Sequence, residues 1–166
     1  MTSIQQEIIE KWCGEQPVGT SLIVPIFPSR YCNNYKEENK NKNKCKWLAH
    51  TPTMRGPEDI KGTDHPYVAM WAALIAIHQH NKLTLNVESQ IRSVACVGLG
   101  CGIGNVTPES CAKQMALAWQ NYQNRLLLST ALCRRAQNTN IDNEDYLIYW
   151  DDVTKRQCEI NTATSL

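Results

Sequence analysis

The feature that most constrains the fold is a glycine-rich string in the middle of the chain. Residues 94–109 include four of the eight glycines, at alternate positions of residues 98–104. The apolar run before these glycines predicts a buried strand, and Thr107 and Pro108 after them predict the N-cap and first residue of a helix. A loop without β-carbons lets its N–H groups surround an anion, and a helix N-terminus adds positive potential. The string therefore predicts either a phosphate or nucleotide loop or a turn that only fits a strand closely to a helix.

Spacing separates this string from the best-known phosphate loops. A Walker loop needs a lysine after its glycines, and none follows here, which argues against a nucleoside triphosphatase. The dinucleotide fingerprint needs a third glycine where this chain has Ile103, Asn105 or Thr107. Residues 98–104 resemble the S-adenosylmethionine loop of methyltransferases, but Val97 stands where that loop usually has an acidic residue, and the chain that follows is short for the rest of a doubly wound sheet. A methyltransferase-like fold stays as the alternative.

Length and charge limit the class of protein. The 166 residues suit one domain, and a net charge of +1 gives no long-range attraction towards nucleic acid or an anionic membrane. The longest apolar run, residues 67–77, is too short to cross a bilayer, and the first residues contain no signal-peptide core. We therefore expect a soluble, cytoplasmic protein without a nucleic-acid or membrane partner.

The eight cysteines predict free thiols rather than disulfides or a metal site. The sequence contains no Cys-x-x-Cys pair, and His78 and His80 are two residues apart, so they project in different directions on a helix. Cys96 in the predicted strand and Cys111 in the following helix are expected to be small buried side chains. Cys101 lies in the glycine loop near a helix N-terminus, where a thiolate is favoured, but no neighbouring histidine offers a base for a nucleophilic role.

Apolar periodicity and turn residues predict an α/β order of elements. In chain order we expect a helix over residues 3–13, strands over 21–27 and 46–50, and a helix from Thr63 or Asp64 to about Asn81. A strand over residues 91–97 and a helix from Thr107 to about Ser129 follow. The apolar stripe of this last helix contains Met115, Ala118, Trp119 and Tyr122. The predicted strand over residues 91–97 is a near-continuous apolar run, which predicts burial on both faces of a parallel sheet and a right-handed crossover. Residues 30–44 predict a mobile polar loop, residues 146–150 a further strand or docking segment, and residues 151–166 a polar tail.

Two short strings together resemble the macro domains, in particular a macro-like subgroup. They are Thr53-Met54-Arg55-Gly56-Pro57 and the glycine loop at residues 98–104, and the later string Ala112-Lys113-Gln114-Met115 is also similar. The resemblance covers about residues 16–122. It implies one macro-like domain over residues 1–166, with a core of about 16–130, a three-layer α/β/α arrangement and a mostly parallel or mixed sheet. It also implies that the chain binds ADP-ribose or an ADP-ribosylated protein, with no cofactor.

The resemblance assigns the ligand to the glycine loop and the segment around Arg55. The implied ligand-binding residues are Gly98, Leu99, Gly100, Cys101, Gly102, Ile103, Gly104 and Asn105, with Thr53, Met54 and Arg55. The chain departs from the family pattern at Gly104, where an aromatic residue often stands, and at Asn105, where a glycine often stands. It contains no Gly-Gly pair, so it resembles an N-terminally truncated macro domain without its first strands and first ligand loop.

That departure leaves several functions open. Macro domains hydrolyse protein-linked ADP-ribose, deacetylate O-acetyl-ADP-ribose, dephosphorylate ADP-ribose 1''-phosphate, or only bind ADP-ribose. Placing a water against the ribose needs groups on both of its sides, so no catalytic residue is assigned. The hypotheses are an ADP-ribose reader, an ADP-ribosyl hydrolase or phosphatase, a methyltransferase-like protein, and a non-binding remnant that acts as an interaction module. An uncovered sheet edge predicts a homodimer or a partner chain.

Individual polar side chains also have two interpretations. Arg55 could bind a phosphate or form a salt bridge at the end of a strand. Asn105 could hydrogen-bond the ligand or occupy a left-handed turn position. For Asp64 we favour a helix cap over a catalytic base, and for His50 a hydrogen-bonded core side chain over a cleft residue.

Overall fold

The computed structural model describes residues 3–26 and 45–136, with side chains up to residue 125. Its elements are α1 (Ser3–Trp12), β1 (Leu22–Pro25), β2 (Trp47–His50), α2 (His65–Leu83), a short 3-10 helix (Val87–Ser89) and α3 (Pro108–Ala136). They form a mixed α/β structure. Three predictions lie outside this description, namely those for residues 30–44, 146–150 and 151–166. The same holds for three cysteine side chains, those of Cys32, Cys133 and Cys158. No helix in the described ranges is long and apolar enough to span a membrane.

The two described strands form an antiparallel pair. Leu22 lies opposite His50 and Val24 opposite Leu48, and the Leu22 and Val24 side chains are buried. Both strands lie within the ranges that the sequence predicts, but their antiparallel pairing does not confirm the mostly parallel or mixed sheet. Gln16 ties this pair to the chain before it, because its amide donates to the carbonyl of His50 at 3.2 Å and its Oε1 lies 2.8 Å from the His50 ring. His50 is thus hydrogen-bonded, as expected.

Residues 91–97 do not form the predicted buried strand. Residues 92–98 are all exposed, with Val94 at 56% and Val97 at 78% of full exposure, and Cys96 is exposed with them. A run of apolar residues is buried as a strand only when neighbouring strands pair with it. Within the described ranges no strand does so, and the predicted crossover is not observed there. The segment is anchored at its start, where Asn81 exchanges hydrogen bonds of 2.8 and 2.9 Å with the backbone of Ile91.

Helices α2 and α3 pack against each other and carry much of the core. Small side chains allow their backbones to approach, since Ala69 on α2 and Ala118 on α3 have no exposed surface. Tyr67 packs against Ala118, and its hydroxyl accepts a hydrogen bond from Asn121 at 3.4 Å. Helix α2 also contacts β1 and β2, so it lies against the sheet as expected. The predicted stripe on α3 is only partly correct, because Trp119 is 46% exposed.

Gln114 joins α3 to the first turn of α2. Its side chain is 1% exposed, its Oε1 accepts the N–H of Tyr67 at 3.2 Å, and its Nε2 donates to the carbonyl of Thr63 at 3.0 Å. The first N–H groups of a helix have no partner within the helix. Asp64 occupies the N-cap position, but its side chain makes no cap hydrogen bond. Gln114 therefore supplies, from the neighbouring helix, an acceptor for an N–H group of the first turn of α2.

We predict that Gln114→Met destabilises the fold by about 2 kcal/mol, because it leaves the buried N–H of Tyr67 without an acceptor. Urea unfolding followed by circular dichroism measures the change. Gln120→Met is the matched control, since Gln120 is an exposed glutamine of the same helix. Equal stability of the two variants would contradict the proposed bridging role of Gln114.

Candidate functional site

The segment that follows the string at residues 53–57 meets the end of the glycine loop at residues 98–104. The N–H of Ile60 donates to the carbonyl of Gly104 at 3.0 Å, and the side-chain amide of Asn105 donates to Asp59 at 3.2 Å. Ile60 is 2% exposed and forms one cluster with Val106 and Cys111. Several half-buried side chains pack on this cluster, namely Met54, Leu99, Cys101 and Met115. The structure therefore brings Met54 and the glycine loop together, as expected from the sequence.

Backbone hydrogen bonds between residues close in sequence fix the path of the glycine loop. The N–H of Cys101 donates to Gly98 at 3.4 Å, that of Asn105 to Gly102 at 3.1 Å, and that of Val106 to Gly100 at 3.2 Å. Gly100 has a φ of 77° and Asn105 a φ of 54°. Asparagine tolerates this left-handed region better than most residues. Asn105 is thus a turn residue whose side chain is bonded within the protein, in line with the second of its two interpretations.

Gly104 and Gly102 have opposite surroundings. A Cβ at Gly104 would lie 2.6 Å from Ile60 Cγ1, 2.7 Å from the carbonyl oxygen of Gly100 and 2.9 Å from Met54 Cε. Gly104 is buried and its position cannot hold the aromatic side chain that macro domains often have there. No atom lies within 4 Å of the corresponding point at Gly102, which is exposed. The loop is therefore packed at Gly104 and open at Gly102.

The open part of the loop presents free backbone donors. Gly102 and Ile103 are both exposed, and within the described residues neither N–H group donates to a protein acceptor. Ile103 is expected from the sequence to touch the ligand, and its side chain extends into solvent. Two successive N–H groups at a turn can form a concave anion site. The arrangement can therefore donate hydrogen bonds to phosphate oxygens without displacing any protein partner.

Helix α3 begins directly behind this loop in the predicted manner. Pro108 is its first residue, and the hydroxyl of Thr107 accepts the N–H of Ser110 at 3.2 Å, which confirms Thr107 as the N-cap. Glu109 in the first turn pairs with Lys113 at 2.9 Å, and this hydrogen bond lowers the pKa of Glu109. Since Lys113 offsets its charge, Glu109 opposes an incoming anion less than an isolated carboxylate would.

Arg55 does not point into the loop but pairs with Glu15. Two hydrogen bonds join them, of 2.5 Å from Nε and 3.2 Å from a terminal nitrogen, and they raise the pKa of Arg55. The salt-bridge interpretation of Arg55 therefore holds, and a phosphate would have to displace the Glu15 carboxylate. Thr53, next to Met54, is half-buried.

Sequence reasoning does not identify Ile60 as a buried anchor or the contact that Asp59 makes with Asn105. Ile60 is the single large apolar residue in the polar stretch at residues 55–66, and that isolation was the available signal for a buried anchor. The carboxylate of Asp59 accepts the N–H of Lys61 at 2.9 Å as well as the amide of Asn105, and these bonds lower the pKa of Asp59. Nothing local in the sequence indicates the contact with Asn105, which is 46 residues away.

The described cysteines are all free thiols, and of these Cys111 is buried whereas Cys96 is not. Cys96 is exposed because the strand predicted around it does not form. In the described ranges no group of three or more His, Cys, Asp or Glu side chains is arranged to hold a metal ion. No protein-family model, curated protein or solved structure matches the chain.

We predict that Gly104→Ala destabilises the protein by roughly 1–3 kcal/mol, because the new methyl group overlaps Ile60, Met54 and the backbone of Gly100. Gly102→Ala, which adds the same methyl group in open space, should change stability by under about 1 kcal/mol. Thermal unfolding of both variants tests the difference. A stable Gly104→Ala protein would show that the loop is not packed against Ile60.

Proposed function

We propose that this protein binds ADP-ribose through the glycine loop, as a reader of free or protein-linked ADP-ribose. The observation that carries this proposal is the pair of exposed, unpartnered N–H groups at Gly102 and Ile103 within the described residues. They lie in the string that resembles the diphosphate loop of macro domains. The Met54 segment, which carries the second related string, packs against the same loop.

The diphosphate is the part of the ligand that this loop suits best. Its oxygens accept hydrogen bonds from free N–H groups, and the missing side chain at Gly102 lets a phosphate approach the backbone closely. The N-terminus of α3, which begins at Pro108, adds positive potential at short range. With a net charge of only +1, the protein depends on such local donors rather than on a general field.

The carboxylates near the loop support binding rather than hydrolysis. Asp59 already accepts hydrogen bonds from Asn105 and Lys61, and Glu109 is paired with Lys113. Both have a lowered pKa, so they are weak bases for activating water. ADP-ribosyl hydrolase and phosphatase activities therefore rank below simple recognition. The proposal includes a three-layer macro-like fold and a cytoplasmic location, which the free thiols in the described ranges suit.

We predict that ADP-ribose raises the melting temperature of the wild-type protein and that Gly102→Leu abolishes this shift while keeping its own melting temperature. The leucine occupies the space in which the phosphate would contact the N–H groups, and it meets no protein atom near its Cβ. Thermal-shift assays and calorimetry measure the two effects. Asn124→Leu, on an exposed position of α3, is the control that should still bind.

The ligands in this experiment also separate the alternatives. S-adenosylhomocysteine should give no shift, because the loop lacks the preceding acidic residue of methyltransferases. A shift with S-adenosylhomocysteine and none with ADP-ribose would favour the methyltransferase-like hypothesis. Release of ADP-ribose from a modified protein would add hydrolysis to binding.

A second candidate function is that of an interaction module. The observation in its favour is the exposed segment of residues 92–98, where Val94 and Val97 face solvent although water disfavours them. The backbone groups of such a segment are open to pairing with another strand. We propose that residues 92–98 pair with a strand of a second copy of the chain or of a partner protein.

We predict that Val97→Lys shifts the protein from a dimer to a monomer in size-exclusion chromatography with light scattering. A lysine within a paired strand interface places a charge where an apolar side chain would be buried. Ile9→Lys, which changes an exposed apolar residue of α1, should leave the association unchanged. A wild-type protein that is monomeric at all concentrations would count against association between copies.

A further inference from the structure

Two thiols border one small space beneath the start of the glycine loop. A Cβ built at Gly98 would lie 2.9 Å from the sulfur of Cys101 and 3.9 Å from the sulfur of Cys111. Cys101 is held in the turn that begins at Gly98, and Cys111 lies in the first turn of α3, where its N–H donates to Thr107 at 2.9 Å. Cys101 also packs on the cluster that contains Cys111. The missing side chain at Gly98 is what lets the two sulfurs come near each other.

The two thiols differ in exposure, and the buried one has a raised pKa. Burial, together with a hydrogen bond that the Cys111 thiol donates to Cys101, raises the pKa of Cys111 to about 11, so Cys111 keeps its proton near neutral pH. Cys101 is half-exposed in the loop, whereas Cys111 is buried. An oxidant from solvent therefore meets Cys101 first, and Cys111 is placed to react with the product.

We propose that Cys101 and Cys111 form a redox-modifiable pair that closes into a disulfide when the protein meets a hydroperoxide. In the first step the Cys101 thiolate attacks the peroxide, the O–O bond breaks, and Cys101 becomes a sulfenic acid while hydroxide leaves and takes up a proton to form water. In the second step the Cys111 sulfur attacks the Cys101 sulfur, the S–O bond breaks, and the hydroxyl leaves as water with the proton of Cys111. Two thiols and one hydrogen peroxide thus give one disulfide and two waters.

Disulfide formation requires the loop to move, and the loop contains the residues that permit it. The two sulfurs must reach a bond length of about 2.05 Å. Cys111 is fixed in a helix, whereas Cys101 stands between Gly100 and Gly102, and the space around Gly102 is open. Closing the bond therefore displaces the loop at Cys101 and, with it, the N–H groups of Gly102 and Ile103. The effect on ligand binding rests on the proposed function, but the disulfide itself does not.

The test uses the reduced full-length protein treated with an equimolar amount of hydrogen peroxide. After the remaining thiols are alkylated, trypsin and a glutamate-specific protease give peptide 93–109, which holds Cys96 and Cys101, and peptide 110–113, which holds Cys111 as its single cysteine. We expect these two peptides to be recovered as one disulfide-linked species that dithiothreitol separates. The species should persist in Cys96→Ser and vanish in Cys101→Ser.

Each other outcome overturns the proposal. Loss of the linked species in Cys96→Ser would make Cys96 the partner, and linkage of peptide 110–113 to a different peptide would exclude Cys101. Complete alkylation of Cys111 after peroxide treatment would show that no pair forms. Circular dichroism of Cys101→Ser checks that this half-exposed position tolerates serine, and Cys101→Ala serves as a second variant with the same expected result.

A binding assay then links the disulfide to the site. We expect oxidation to weaken ADP-ribose binding at least tenfold in wild type and Cys96→Ser, to leave Cys111→Ala unaffected, and to be reversed by dithiothreitol. If the reduced protein does not bind ADP-ribose at all, the proposed function fails, while the linked peptide still decides the thiol pair. If the linked peptide forms and binding is unchanged, the disulfide does not control the loop.

Discussion

The contact on which the site depends is the insertion of Ile60 beneath the glycine loop. The Ile60 side chain lies 2.6 Å from where a Cβ would stand at Gly104 and 2.9 Å from the same point at Gly100, and its N–H holds the carbonyl of Gly104. Glycine at both positions is required for this approach. The buried side chain thereby sets the path of the loop, and the path leaves the N–H groups of Gly102 and Ile103 facing outward.

The loop is connected to the rest of the protein through α3. Thr107 caps this helix directly after the loop, and Gln114, two turns later, binds the first turn of α2. A buried side-chain amide with three hydrogen bonds fixes one relative position of the helices, because any shift would leave polar groups without partners. The glycine loop is thus held from below by Ile60 and from behind by a helix whose position Gln114 determines.

Features encoded by neighbouring residues could be predicted from the sequence, and features that depend on distant partners could not. The ranges of α2 and the start of α3 follow from apolar periodicity and from Thr107 and Pro108. The strand expected at residues 91–97 does not form, because composition indicates a preference for burial but does not provide the neighbouring strands that burial requires. The pairing of Arg55 with Glu15, 40 residues earlier in the chain, is likewise invisible to local pattern. Among the implied ligand residues, Met54 packs near Gly104, whereas Arg55, for which the sequence allows two interpretations, pairs with Glu15.

The four glycines of the loop form one string, but three of them meet three different physical demands. Gly98 leaves room for two sulfurs, Gly100 adopts a left-handed conformation over Ile60, and Gly104 lies too close to Met54 and Ile60 for any side chain. Among these four glycines only Gly102 has free space around it and an ordinary φ, so neither packing nor backbone conformation requires a glycine there. Under the proposed function, the free space at Gly102 is where a phosphate would approach the N–H groups of Gly102 and Ile103, rather than evenly along the string.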